Sequence, residues 1–270
     1  PQISPSSTNP KYTLQGLKTA FRVVAHDDQQ GPTLGRYAAG AVKAKSVAII
    51  DDSTAYGQGI ADAFETTVKA AGVKVLAREH TTDKDTDFKA ILTKIKGRKP
   101  DLIMFGGIDP QAGPMVRQMA QLGIKAKFMG GDGMQTPNFI KLAGDAADGV
   151  MASIPGLPKE QMPGGKRFMD QYKAKFNAEV ELYAPMGYDA VMVFIDAMKR
   201  AGSTDPAKFL PELGKTRYQG VIGPIAFDDK GDLVNGPITI YVVKGGKWEP
   251  LETVSPGGAP AAAPTSETKK

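Results

Sequence analysis

The sequence contains no cysteine, which excludes disulfides, thiolate metal sites and thiol nucleophiles together. Its two histidines, His26 and His80, lack HExxH or paired-ligand spacing and read as exposed loop residues rather than metal ligands. No nucleophile elbow is present. No apolar run approaches the length of a membrane span. Charge of one sign is not concentrated either. The 34 Lys and Arg exceed the 29 Asp and Glu by five, but they are spread singly and in pairs among acids, which reads as solubility. With one tryptophan and no aromatic residues interleaved with a basic stripe, the pattern gives no support to a nucleic-acid surface.

What is present is the composition of a globular protein. The 270 residues are 41% hydrophobic and 23% charged, enough for two lobes that each bury a core. "SVAII" reads as a buried strand, and the following helix places Ile60, Phe64 and Val68 at four-residue intervals before Gly72. The beat repeats. "VKVLARE", "DLIMFGG", "KFMGG" and "GVMASI" read as strands, with helices at "DFKAILTKIKG", "PQAGPMVRQMAQLG" and "PNFIKLAG" between them. Strands alternating with helices predict a parallel sheet covered on both faces, so residues 27 to 155 form one α/β lobe.

Beyond Pro155 the pattern changes to a Pro- and Gly-rich connection and three helices, "KRFMDQYKAKF", "APMGYDAVMVFIDAMKRAG" and "DPAKFLPELGK". In the second, Tyr188, Val191, Met192, Ile195 and Met198 fall on one stripe. This half supplies one clear core strand, Ile222 to Phe227, together with the opening strand Gln2 to Ser4. Three helices need more sheet than that, so this lobe is expected to be incomplete in the chain as it stands. The final stretch from residue 253, rich in Pro, Ala, Gly and Ser, is expected to be a disordered tail.

Candidate chemistry gathers at strand ends, where open α/β sheets place their ligands. Thr8 follows the first strand, Tyr56 follows "VAII", Ile108 and Asp109 follow "LIMFGG", and Asp132 follows "KFMGG". Asp132 is the sharpest of these. Glycines at 130, 131 and 133 allow close approach to the backbone and leave a carboxylate projecting, suited to an ammonium; a helix cap for the segment from Thr136 is the plainer alternative. Asp51 and Asp52 could hold Mg²⁺ as in a signalling receiver domain, but Gly106 and Gly107 occupy the strand end where a phosphoacceptor acid belongs. The Gly57 to Gly59 pair is only part of a dinucleotide fingerprint, with Asp62 in place of the third glycine.

The segments "ISPSSTNP", "DDSTAYGQG", "FGGIDPQAGPMVRQM", "KFMGGDGMQTP", "LYAPMGYDAV" and "GPIAFDDKGDLVNG" occur in an order that resembles the Leu/Ile/Val-binding proteins of bacterial ABC transporters, within the type I periplasmic binding proteins. The resemblance covers residues 2 to about 252. It implies an α/β fold of two lobes, parallel sheets flanked by helices, with the first lobe incomplete: residues 1–26 with 156–236, and 27–155 with 237–252, hinged near Ala25, Pro155 and Gly236. A typical member has a further block of roughly ninety residues before "ISPSS". The implied function is capture of an amino acid between the lobes and delivery to permease subunits, by a monomer in the periplasm without cofactor, metal or catalysis. Close relatives of that family bind amides, urea or aromatic acids. By resemblance, Ser6, Ser7 and Thr8 take the ligand α-carboxylate, Asp132 pairs with the α-ammonium, Tyr56 closes over the ligand, and Tyr183 lines the side-chain pocket. Ile108 stands where some members have tyrosine, which makes the pocket more apolar.

Overall fold

Two short parallel strands begin the chain. In the computed structural model, which describes residues 1–255, β1 (Gln2–Ser4) pairs with β2 (Ala20–Arg22), setting Ile3 opposite Phe21. A helix, α1 (Asp27–Gly40), follows before the alternating elements: β3 (Ser46–Asp51), α2 (Ala55–Ala70), β4 (Lys74–His80), α3 (Lys89–Arg98), β5 (Leu102–Gly106), α4 (Asp109–Gln121), β6 (Lys127–Gly130), α5 (Pro137–Ala143) and β7 (Met151–Ile154). The strand-to-helix rhythm is the one expected from hydrophobic period. The helices α6 (Gly165–Phe176), α7 (Ala184–Ala201) and α8 (Pro206–Gly214) come next, then a hairpin of β8 (Arg217–Gln219) and β9 (Pro224–Ala226). Two long strands, β10 (Ile238–Lys244) and β11 (Lys247–Val254), finish the described residues.

β3 to β7 join β10 and β11 in one seven-stranded sheet of order β11-β10-β7-β6-β5-β3-β4. β3 to β7 pair in parallel, whereas β10 runs antiparallel to both β7 and β11. The two-residue period of the strands divides the core cleanly. Val47 and Ile49 pack on one face with Leu34, Ile60 and Phe64 of α1 and α2, while Ala48 and Ile50 pack on the other with Leu92, Met115 and Phe139 of α3 to α5. α1 was not evident from its sequence, because Gly31, Pro32, Gly35 and Gly40 interrupt any helical stripe. Two of those glycines have a packing reason. A Cβ on Gly31 would lie 2.5 Å from Ala63 Cβ, and one on Gly35 would lie 2.7 Å from Thr67 Cβ, so α1 rests directly on α2.

The remaining elements surround a separate core in which Ile3, Phe21, Met186, Val193, Phe209 and Ile225 pack together. The expected Ile222 to Phe227 strand is shorter and forms a hairpin with β8, and β2 is a strand the sequence did not announce. α7 turns a different face inward from the stripe expected of it. Met186, Asp189, Ala190, Val193 and Ala197 are buried, whereas Tyr188, Val191 and Ile195 are exposed. Asp189 explains the rotation, since its carboxylate accepts the Val221 and Ile222 N–H groups, each at 2.9 Å. At the other end, Thr253 and Val254 complete β11 instead of starting a tail, and residues 256–270 lie outside the described residues. Among the described residues no helix is long and apolar enough to cross a membrane.

Candidate functional site

Asp132 begins a 3-10 turn, Asp132–Met134, just past the carboxyl end of β6, and is 2% exposed. Three donors converge on it. Gln30 Nε2 donates to Oδ1 at 2.8 Å, Tyr56 Oη donates to the same oxygen at 2.9 Å, and Tyr183 Oη donates to Oδ2. Tyr56 lies in the first turn of α2 and Tyr183 immediately precedes α7, so the two phenols reach the acid from different cores. Asp132 does not cap α5. Thr136 does that, accepting the Phe139 N–H at 2.9 Å.

The glycines around Asp132 are required by proximity. A Cβ on Gly131 would fall 2.5 Å from Tyr56 Oη, and one on Gly133 would fall 2.7 Å from Ile108 Cγ2, so any side chain there would push the tyrosine or isoleucine away. The Gly133 N–H also donates to Tyr56 Oη at 3.1 Å. Burial raises the Asp132 carboxyl above its ordinary range, opposed by the hydrogen bonds from Tyr183, Gln30 and Tyr56. Burial, then the Asp132 charge, raises both phenols well above theirs, so they remain donors.

The serine loop is anchored from beneath. Ser4 Oγ accepts the N–H groups of Ser7 at 2.8 Å and Ser6 at 3.3 Å, leaving the hydroxyl side chains of Ser6 and Ser7 exposed while Thr8 is buried. Arg22, fully buried, donates to Asp232 Oδ1 at 2.6 Å, to the Ser7 carbonyl at 2.7 Å and to the Asn9 carbonyl at 3.0 Å. Asn9 in turn donates its side-chain amide to the Ala55 carbonyl, tying the loop to the start of α2. The Thr8 carbonyl accepts the Asp27 N–H at 2.9 Å, which brings the loop to the beginning of α1.

Asp132, Tyr56 and Tyr183 are thus in direct contact, Ile108 adjoins Gly133, and Thr8 abuts Asp27. Asp109 turns aside and accepts Thr136 Oγ1 and Asn138 Nδ2, both at 2.8 Å. The partners sequence reasoning missed are Gln30, Asp27 and Arg22, polar residues within elements that carried no apolar signal, and Ser153, a single polar residue inside the apolar strand β7. A cavity of about 570 Å³ also opens across the junction, lined in part by Gln135, Leu157, Met186, Tyr241 and Trp248, but none of the expected site residues lines it.

Of the two histidines, His80 is exposed as expected but ends a strand, whereas His26 is neither fully exposed nor in a free loop. His26 is half-buried at the N-cap of α1, and His80 is the last residue of β4, its exposed ring 2.9 Å from Asp51. Asp51 is fully buried and also pairs with Arg78 at 2.7 Å, while Asp52 Oδ1 accepts the Thr54 N–H at 3.0 Å and hydroxyl at 2.6 Å. Both acids serve the β3 to α2 turn. Among the described residues no group of three or more His, Asp or Glu side chains could hold a metal ion.

The profile of the family described as periplasmic binding protein matches residues 1–247. The chain belongs to that family. It is 36% identical over 239 residues to the leucine-, isoleucine-, valine-, threonine- and alanine-binding protein of Pseudomonas aeruginosa, an alignment covering 88% of this chain and 64% of the relative. The chain therefore spans less than two thirds of that relative's length. Among solved structures, a leucine-binding protein from Thermotoga maritima superposes with a TM-score of 0.90 at 32% identity, covering 95% of this chain and 73% of the other. A branched-chain amino acid transporter substrate-binding protein from Streptococcus pneumoniae, solved with isoleucine, superposes at 0.86 with 30% identity and the same coverages. The fold is that of the type I periplasmic binding proteins, with a mostly parallel sheet flanked by helices.

Proposed function

We propose that this chain is the solute-binding part of an ABC transport system, capturing an aliphatic amino acid, Leu, Ile or Val, between two lobes outside the cytoplasm and presenting it to permease subunits. The carrying observation is Asp132, a buried carboxylate that meets Tyr56 from one core and Tyr183 from the other. A ligand ammonium entering there replaces phenol hydroxyls with a charge-assisted contact and joins the two cores through itself. Ser6, Ser7 and Thr8 supply hydroxyls for the α-carboxylate, and Ile108 faces the ligand with hydrocarbon. The names and bound ligand of the relatives favour the same class.

In this reading the lobes are residues 1–26 with 156–236, and 27–155 with 237–252, acting as a monomer with no bond made or broken in the cargo. They turn about three adjacent chain passages. A Cβ on Gly236 would come within 3.0 Å of Ala25 Cβ, and Thr239 Oγ1 donates to the Gly156 carbonyl at 2.6 Å, so the passages support one another. Mass spectrometry of the small molecules released on denaturing the purified protein, followed by calorimetric titration with Leu, Ile and Val, tests the reading. Saturable binding of an aliphatic amino acid is expected. Failure of all three to bind, with a different class of molecule released, would overturn it.

A further inference from the structure

A second carboxylate lies behind Asp132. Asp27, the first residue of α1, is fully buried, and its Oδ1 accepts Gln30 Nε2 at 3.1 Å. The same amide nitrogen donates to Asp132 Oδ1 at 2.8 Å, and Ser153 Oγ donates to Gln30 Oε1 at 2.9 Å. The orientation of Gln30 follows from its neighbours. Its NH₂ faces two acids that only accept when ionised, its oxygen faces a hydroxyl, and both amide hydrogens are spent between the carboxylates. Asp27 Oδ2 has no hydrogen-bond partner among the described residues, and Thr8 Oγ1 has none either.

Two buried carboxyls that share one neutral amide do not both carry charge at low cost, because the amide offsets neither burial nor their mutual repulsion. We propose that Asp27 is a positioning residue of the ammonium subsite: through Gln30 it orients Asp132, and it holds the proton of this two-carboxyl cluster until a ligand ammonium arrives and displaces that proton to solvent. The inference rests on the amino-acid-binding reading above. The step balances simply, with one O–H bond of Asp27 broken, its proton leaving to buffer, and the incoming ammonium supplying the positive charge in its place.

The charged and titratable surroundings agree. Burial, then the Asp132 charge, pushes the Asp27 carboxyl up to about 7, while the hydrogen bond from Gln30, the nearby Thr8 hydroxyl and the more remote Arg22 charge oppose this. From α2 and the start of α7 the groups facing the cluster are the Tyr56 and Tyr183 phenols, both held protonated. Arg22 of β2 is committed to Asp232, and the neighbouring His26 ring is lowered by burial, which keeps it from serving as a fixed counter-charge. Among the described side chains of the cluster, a proton is what neutralises Asp27.

Calorimetric titration with leucine at pH 6.5, repeated in buffers of different ionisation enthalpy, tests the proposal. Release of roughly half to one proton per leucine is expected, with affinity rising between about pH 5.5 and 7.5, a range in which leucine itself does not change charge. Asp27→Asn keeps an oxygen for Gln30 but has no proton to give, so release should vanish with only a modest loss of affinity. Asp27→Ala leaves Gln30 unsupported and should weaken binding about tenfold further. Undiminished release in Asp27→Asn, or none in the wild type, overturns the proposal. If leucine does not bind, isoleucine and valine are titrated in its place, and if none of the three binds the proton is located in the ligand-free chain by carboxyl ¹³C NMR. An Asp27 titration near neutrality that moves to lower pH in Asp132→Asn supports the shared cluster; one below about pH 5 that ignores Asp132→Asn overturns it.

Discussion

Arg22 and Asp232 meet at 2.6 Å inside the protein although 210 residues separate them in sequence. The contact fixes the serine loop, because the same guanidinium holds the carbonyls of Ser7 and Asn9. Removing Arg22 leaves the Asp232 carboxylate without its counter-charge, with the Thr13 hydroxyl still donating to it at 2.8 Å, and leaves the Ser7 and Asn9 carbonyls without the guanidinium. Arg22→Ala should therefore cost about 3–5 kcal/mol, the range for breaking a buried pair on one side. Urea unfolding followed by circular dichroism measures this, and a loss under about 1 kcal/mol would show that the loop is held by something else.

Asp132→Ala removes the carboxylate expected to face the ligand ammonium. A buried charge left unpaired corresponds to on the order of 3 kcal/mol, or about a hundredfold in affinity for an aliphatic amino acid. Fold stability should fall by about 1–3 kcal/mol, since Gln30, Tyr56 and Tyr183 lose their shared acceptor. Calorimetric affinity within twofold of wild type would remove Asp132 from the site.

Selectivity should follow the lining. Ile108 adjoins Gly133 and offers no polar partner for a ligand side chain, so leucine, isoleucine and valine should bind more tightly than glutamate or lysine, whose extra charge would be buried alone. Competition against a labelled leucine measures the order. Equal binding of glutamate and leucine contradicts this assignment of the pocket.

The raised Asp27 carboxyl predicts a pH dependence of folding in the ligand-free chain. A carboxyl whose pKa is higher folded than unfolded binds more protons in the folded state, so its contribution is complete below about pH 4 and is lost as pH rises toward 7. Acting alone, a shift from 3.8 to about 7 corresponds to on the order of 4 kcal/mol across that window. Asp27→Asn should flatten this slope in urea unfolding at pH 4.5 to 7.5. A slope the same as wild type would assign the dependence to other groups.

The two cores should differ in their resistance to local opening. Val47 to Ile50 lie fully buried in a central strand, whereas α7 leaves Val191 57% exposed and packs near two two-stranded sheets. Amides of residues 191–198 should exchange at least about a hundredfold faster than those of residues 47–50. Equal protection, read by hydrogen exchange, would show that the helices need no further sheet.

The parts of the fold that sequence made legible were those whose physics is local. Val47 to Ile50 and Leu102 to Phe105 are continuous apolar runs, and Ile60, Phe64 and Val68 keep helical spacing, so the parallel sheet and its covering helices followed. α1 did not, because Gly31 and Gly35 exist for contact with α2 and weaken the local signal. α7 misled for a similar reason: its buried Asp189 satisfies two distant backbone N–H groups, a demand no periodicity records. In the site, Asp132 stood out through its glycines. Gln30 and Asp27 belonged to a helix that went unread, and Arg22 finds its acid only after the chain has returned from the other core.

The seam between α1 and α2 has a further consequence. With no room for a Cβ at Gly31 or Gly35, the helix bearing Asp27 and Gln30 and the helix bearing Tyr56 behave as one rigid casting. These groups are therefore expected to move together, with their mutual spacing nearly constant. Tyr183 belongs to a different casting and carries the variable share of the geometry. On the proposed site, drift in ligand preference among descendants of this sequence is expected to be easiest at Tyr183, where a new side chain retunes one bearing, and hardest along α1, where one added methyl would knock several out of true at once.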